Sequence, residues 1–183
     1  ETVVAAARQG MSLAQFAADT PERMAVYSES GTRTWSQLNH AANRLTRVLR
    51  EAGLGDGDGL AMMMGNRPEF IEVFQAALRA GLRLTPINWH LGPDEVAYIL
   101  RDCDAKAFIS EERFTETLRD AVRPLANMDL GLLVSDGTSV APFEDYASTL
   151  NQQDASDIDE PTLGYHMLYT SGTTGRPKGV WRD

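Results

Sequence analysis

The stretch that decides the fold runs from 60 to 87: Leu60-Ala-Met-Met-Met64, Gly65-Asn-Arg67, Pro68-Glu-Phe-Ile-Glu-Val-Phe-Gln-Ala-Ala-Leu78, Arg79-Ala-Gly81 and Leu82-Arg-Leu-Thr-Pro-Ile87. The first block is a short apolar run of strand length. Pro68 suits the first turn of a helix, where its missing N–H would have no partner anyway. Phe70, Ile71, Phe74, Ala77 and Leu78 recur at helical spacing and predict the inner stripe, and Gly81 closes the helix. Leu82 to Ile87 predicts a second strand.

The same alternation continues on both sides. Pro93 opens a helix with Val96, Ile99, Leu100 and Cys103 on one face, and Ala105 to Ile109 predicts a strand. Phe114, Leu118, Ala121, Val122 and Leu125 mark a further helix before the strand Leu130 to Val134. Upstream, Met24 to Tyr27 and Arg33 to Trp35 predict two short strands around a turn at Gly31. Thr34-Trp-Ser-Gln37 fits a capping box. It leads a helix with Leu38, Ala41, Ala42, Leu45, Val48, Leu49 and Ala52 inward, stopped at Gly53 and Gly55. Strands alternating with helices over short connections predict an α/β fold, a helix-covered and mostly parallel β-sheet. The polar stretch 151–161, with four acids between Asp154 and Glu160, reads as a solvated linker.

The composition narrows the function. Seventeen Lys plus Arg against 26 Asp plus Glu give a net charge of -9, which disfavours a nucleic-acid partner and an anionic membrane surface. A nucleotide stays compatible, because a local nest of N–H groups holds phosphate inside an acidic protein. The single cysteine, Cys103, leaves no intramolecular disulfide and points to a reducing, cytoplasmic setting. No apolar run reaches the ~20 residues that span a bilayer, and Thr2 to Ala7 is too short for a signal core.

The chemistry sits near the end. Leu163 to Thr170 is an apolar run of strand length leading into Ser171-Gly-Thr-Thr-Gly-Arg-Pro-Lys-Gly179. Gly172, Gly175 and Gly179 admit backbone angles closed to other residues, so successive N–H groups can turn toward one anion. Thr170, Ser171, Thr173 and Thr174 add hydroxyl donors, Lys178 adds a mobile positive charge, and Pro177 stiffens the approach to it. A Walker A loop is disfavoured, since this lysine follows proline and precedes glycine.

Residues Tyr169 to Val180 closely resemble the phosphate-loop signature of the adenylate-forming superfamily, which includes acyl-CoA synthetases, amino-acid-adenylating domains and firefly luciferase. Gly65-Asn-Arg-Pro-Glu-Phe70 and Leu84-Thr-Pro-Ile-Asn88 resemble the family more loosely, and Ile87-Asn-Trp-His-Leu91 is most similar to fatty-acyl-CoA synthetases. The resemblance implies that 1–183 is a portion of the large N-terminal domain, with 169–180 as its phosphate-binding loop. It implies ATP, Mg²⁺ and CoA as cofactors, and activation of a carboxylic acid, a fatty acid first, to acyl-AMP and then acyl-CoA. Thr170, Ser171, Gly172, Thr173, Thr174 and Gly175 would bind ATP phosphates, and Lys178 would act catalytically on the departing pyrophosphate. The family's Mg²⁺-holding glutamate, acid pocket and C-terminal lysine have no counterpart in this chain, and Trp181-Arg-Asp183 departs from the Ser-His pair that often follows the loop. Amino-acid or aryl-acid adenylation, and a non-catalytic phosphate-binding fragment, stand as alternatives.

Elsewhere the bland readings are preferred. His166 is expected to pack within its strand, and His40 to face solvent. Trp89 and His90 are expected to pack, Cys103 to be an inert buried thiol, and Met62 to Met64 to form a buried strand. The acids from Asp154 to Glu160 lack an ordered ligand spacing for a metal.

Overall fold

The strand–helix–strand unit at 59–86 is the centre of the molecule. The computed structural model describes residues 2–122, 128–138, 140–170 and 177–180. In chain order the elements are α1 (Thr2–Ala7), α2 (Ser12–Asp19), β1 (Met24–Ser28), β2 (Gly31–Thr34), α3 (Trp35–Glu51), β3 (Gly59–Met63), α4 (Pro68–Arg79), β4 (Arg83–Pro86), α5 (Pro93–Asp102) and β5 (Ala105–Glu111). After a 3₁₀ turn (Glu112–Phe114) come α6 (Thr115–Val122), β6 (Leu130–Val134), β7 (Glu144–Asp145), α7 (Tyr146–Leu150), β8 (Tyr165–His166), β9 (Leu168–Thr170) and β10 (Lys178–Val180).

Six strands form one sheet in the order β7-β6-β5-β3-β4-β8, and every neighbouring pair is parallel. Side chains alternate across it. Leu60, Met62, Ala107, Ile109, Leu130, Leu132 and Val134 pack under α3, α4 and α7. Ala61, Met63, Phe108 and Leu133 pack under α5 and α6. β3 is covered on both faces, which is why its sequence is an unbroken apolar run. Thr34 makes its capping box, with Gln37 N–H on Thr34 Oγ1 at 3.2 Å and Thr34 N–H on Gln37 Oε1 at 2.9 Å. Gly81 ends α4 at φ +77°, the left-handed region that favours glycine.

α4 is rotated from the predicted stripe. Phe70, Ile71, Phe74 and Leu78 are half-buried, whereas Glu69, Glu72, Val73, Ala76, Ala77 and Arg79 face inward. The small Ala76 and Ala77 sit in the main core, and the two glutamates find cationic and phenolic partners. Ile71 packs instead with Leu13, Leu38 and Ala42 of α2 and α3. The periodicity gave no sign of α1, α2, β7 and α7. α2 carries Phe16, which stacks on Trp35 at 5.0 Å. Leu125 lies outside the described residues.

The stretch 151–161 crosses the surface, but it is fastened rather than merely solvated. Asn39 and Asn43 donate to Asp157 Oδ1 at 2.8 and 2.9 Å. Arg44, Arg47 and Arg50 donate to backbone carbonyls of 153–160, and Ile158 is buried. The run 163–170 is not one strand but two. β8 joins the main sheet beside β4, and β9 leaves it to pair with β10.

Candidate functional site

The β9–β10 hairpin holds the two predicted site residues that the structure describes, Thr170 and Lys178. Its antiparallel register sets Thr170 opposite Lys178, Tyr169 opposite Gly179 and Leu168 opposite Val180. Opposed residues share a face, so Leu168, Thr170, Lys178 and Val180 point one way, and all four are exposed. A hydroxyl and an ammonium thus stand side by side in the strand pair next to the connecting residues, and among the described residues no carboxylate pairs with Lys178. Ser171, Gly172, Thr173, Thr174 and Gly175 lie outside the described residues.

On the other face, Tyr169 and Gly179 are half-buried. Tyr169 packs against the core under α5, and its Oη donates to Asp102 Oδ2 at 2.6 Å. A Cβ on Gly179 would run into the Met167 terminal methyl and press on the Tyr169 ring at 3.2 Å. The glycine therefore serves close approach within a strand, not the unusual backbone angle expected of it.

A second polar cluster lies at the carboxyl ends of β3, β5 and β6, where ligands often bind parallel sheets. Arg67 bridges Glu111 at 2.6 Å and Glu69 at 2.8 Å. Arg33, from the β1–β2 hairpin, bridges Glu69 at 3.1 Å and Glu72 at 2.8 Å. Arg113 also reaches Glu111, at 2.9 Å, and the Gly65 N–H donates to Glu111 Oε1 at 3.2 Å. Tyr146 donates its hydroxyl to Glu72 Oε2 at 2.9 Å. Glu72 is 1% exposed. Burial pushes its carboxyl above the ordinary range against the pull of Arg33. Burial, then the neighbouring Glu72, pushes the Tyr146 phenol well up. Every carboxylate here has a cation, so the cluster closes on itself as a brace between the β1–β2 hairpin, α4 and the strand ends. Sequence reasoning missed it. Its one visible signal was a pair of glutamates at i and i+3 in α4, and their partners are distant in the chain.

The cluster borders two clefts, of about 470 Å³ and about 700 Å³. Neither is lined by Thr170 or Lys178. His166 is not packed as expected. It is exposed, tilted beside Phe74 at 6.0 Å, because β8 is the outer edge of the sheet. His40 is exposed. Trp89 and His90 stack on each other at 3.6 Å, and Trp89 lies against Phe114 and Arg113, a packing arrangement at the surface. Cys103 is buried, with its thiol pushed up to about 11 by burial, so it is a poor nucleophile. Met62 to Met64 are buried. Among the described residues no group of three or more His, Cys, Asp or Glu could hold a metal, and no helix is long and apolar enough to cross a membrane.

Comparison with known proteins agrees with the dozen residues at 169–180. The family model described as "AMP-binding enzyme" matches residues 13–182. The chain belongs to the AMP-binding enzyme family. Among the relatives, a long-chain-fatty-acid–CoA ligase of Mycobacterium tuberculosis (strain CDC 1551 / Oshkosh) is 35% identical over 93% of this chain and 34% of its own length. A dimodular nonribosomal peptide synthase of Bacillus subtilis (strain 168) is 30% identical over 88% of this chain and 6% of its own length. The chain thus spans about a third or less of these relatives. The crystal structure of an anthranilate CoA ligase in complex with anthranoyl-AMP superposes with a TM-score of 0.85 at 22% identity, over 92% of this chain and 33% of that one. That likeness shows the fold, a large part of which was readable from the alternation of strands and helices.

Proposed function

We propose that residues 1–183 form an N-terminal portion of an ATP-dependent acid–thiol ligase, which activates a carboxylic acid, a fatty acid by preference, to acyl-AMP and passes the acyl group to CoA. The observation that carries this reading is the register of β9 and β10, which sets Thr170 beside Lys178 on one open face. Membership of the AMP-binding family supports it, and so does a fatty-acid–CoA ligase among the relatives.

The first half-reaction brings an anion against a polyanion. A carboxylate oxygen bonds to the α-phosphorus of ATP as the bond to pyrophosphate breaks, so the protein contributes chiefly position and charge stabilisation. The Lys178 ammonium is a mobile point charge suited to the departing pyrophosphate. The Thr170 hydroxyl, with Ser171, Gly172, Thr173, Thr174 and Gly175, would bind the β- and γ-phosphates. The donor set fits: one cation and one hydroxyl share an open face, with no competing carboxylate among the described residues. Mg²⁺ would supply further charge neutralisation, and we place its ligands and the CoA site mostly outside this chain, since no group of three or more His, Cys, Asp or Glu that could hold a metal is found among the described residues. In the second half-reaction the CoA thiol displaces AMP.

A second reading, amino-acid adenylation, is favoured by the peptide-synthase relative at similar identity. Carboxylate-dependent ATP–pyrophosphate exchange separates the two. The complete gene product is assayed against fatty, aryl and amino acids. Exchange with fatty acids is expected, exchange with amino acids alone would move the assignment to the second reading, and no exchange with any acid would remove both.

A further inference from the structure

We propose that Tyr169 and Asp102 form a latch that sets the position of the phosphate-binding hairpin, which makes them positioning residues for the adenylation step. The proposal rests on the reading above that Thr170 and Lys178 meet ATP phosphates. β9 and β10 pair with each other and stand outside the six-stranded sheet, so the ladder of the main sheet does not hold them. At the root of the hairpin, the Met167 N–H donates to Leu84 O at 2.8 Å. Beyond that point, the Tyr169 hydroxyl on Asp102 at 2.6 Å ties the hairpin to α5.

The register makes this contact consequential. Tyr169 precedes Thr170, and its opposite residue Gly179 follows Lys178. Side chains alternate along a strand, so displacing the inward phenol swings both outward phosphate-facing groups. Gly179 gives the ring space, since a Cβ there would come within 3.2 Å of it, tighter than an ordinary contact. Asp102 ends α5, which packs on the shared core, and it takes a second, longer contact from Tyr98 at 3.4 Å. Burial, reinforced by Asp102, keeps the phenol a protonated donor. Hydrogen bonds to a carboxylate are the strong kind, and this one sits at the surface. Prior ordering of the hairpin lowers the cost of binding a triphosphate. It does nothing for the acid.

The test uses the complete gene product carrying Tyr169→Phe, Asp102→Ala, both together, or Lys178→Ala, assayed by pyrophosphate exchange and by thermal midpoint. Tyr169→Phe keeps the ring, and so the packing. Each latch variant is expected to raise KM for ATP about tenfold, equivalent to about 1.4 kcal/mol, with KM for the acid and thioester formation from supplied acyl-AMP unchanged. The double variant is expected to be no worse than either single. An unchanged KM for ATP in Tyr169→Phe, or a parallel rise in both KM values with a lowered midpoint, would overturn the latch. If Lys178→Ala slows exchange while Tyr169→Phe is silent, the latch alone fails. If Lys178→Ala exchanges like wild type, the phosphate-site reading fails and takes the latch with it.

Discussion

Lys178 stands exposed opposite Thr170, and its proposed task belongs to one bond-breaking event. Lys178→Ala in the complete enzyme is expected to slow acyl-AMP formation by about a hundredfold or more, the scale of losing one charge-stabilising donor. Thioester formation from supplied acyl-AMP should stay close to wild type, and equal damage to both halves would refute the assignment. Glu72 makes a different residue-scale prediction. Its folded pKa is raised above the usual 4.5, so the folded state binds more protons than the unfolded one across that window. Its contribution to stability is full below about 4.5 and declines as pH rises through the folded value. Glu72→Gln does not titrate there. The stability of wild type minus that of the variant, from urea unfolding, should therefore shrink between about pH 4 and about pH 7. A gap that is constant or widens would mean that Arg33 outweighs burial. Residues of this kind were the least legible in the sequence. Lys178 and Thr170 announced themselves through a contiguous motif. Glu72 looks like an ordinary solvent-facing position until Arg33 and Tyr146 are brought to it from 39 and 74 residues away.

At the scale of elements, periodicity revealed α3, β3, β4, α5 and β5 because each satisfies its pattern locally. It could not reveal what the polar face of α3 is for. Asn39, Asn43, Arg47 and Arg50 fall on one face of that helix and together hold 154–160 against it, with Arg44 adding a bond to Gln153 O. Behind them Arg79 is fully buried and donates to the side-chain oxygens of Asn39 and Asn43. Burial lowers its pKa to about 10, which leaves it charged at neutral pH. The two asparagines therefore bridge Arg79 to Asp157, accepting from the one and donating to the other, a relay of hydrogen bonds that links α4, α3 and the strap. Asn43→Leu removes a carbonyl acceptor from a buried cation and a donor from Asp157 at once. A loss of about 2–4 kcal/mol in urea unfolding is expected, because an unsatisfied buried charge loses more than a neutral hydrogen bond. Amide exchange should speed up through 153–160 more than in β3. A loss under about 0.5 kcal/mol, the level of an ordinary surface substitution, would show that the strap is held without the relay.

At the scale of the whole molecule, the described residues offer a triphosphate few groups. Among the described residues, the proposed phosphate-binding groups are one exposed ammonium, Lys178, and one hydroxyl, Thr170. Exposed charge pairs are worth about 0–1 kcal/mol, whereas association has to overcome about 4–15 kcal/mol of lost freedom. The cleft beside Thr170 is lined by Leu168 and Val180, 50% and 54% exposed, and by Tyr165 and His166, none of which is a lysine or arginine. The 183-residue chain on its own is therefore expected to bind ATP more weakly than about 1 mM, the affinity that corresponds to about 4.1 kcal/mol, and to catalyse no pyrophosphate exchange. Isothermal calorimetry with ATP and Mg²⁺, run beside the complete gene product, measures this directly. The complete product should show a saturating isotherm and the chain only heats of dilution. Micromolar binding by the chain would mean that residues 171–176 enclose the triphosphate without help, and the hairpin would then be a self-sufficient phosphate site rather than half of one.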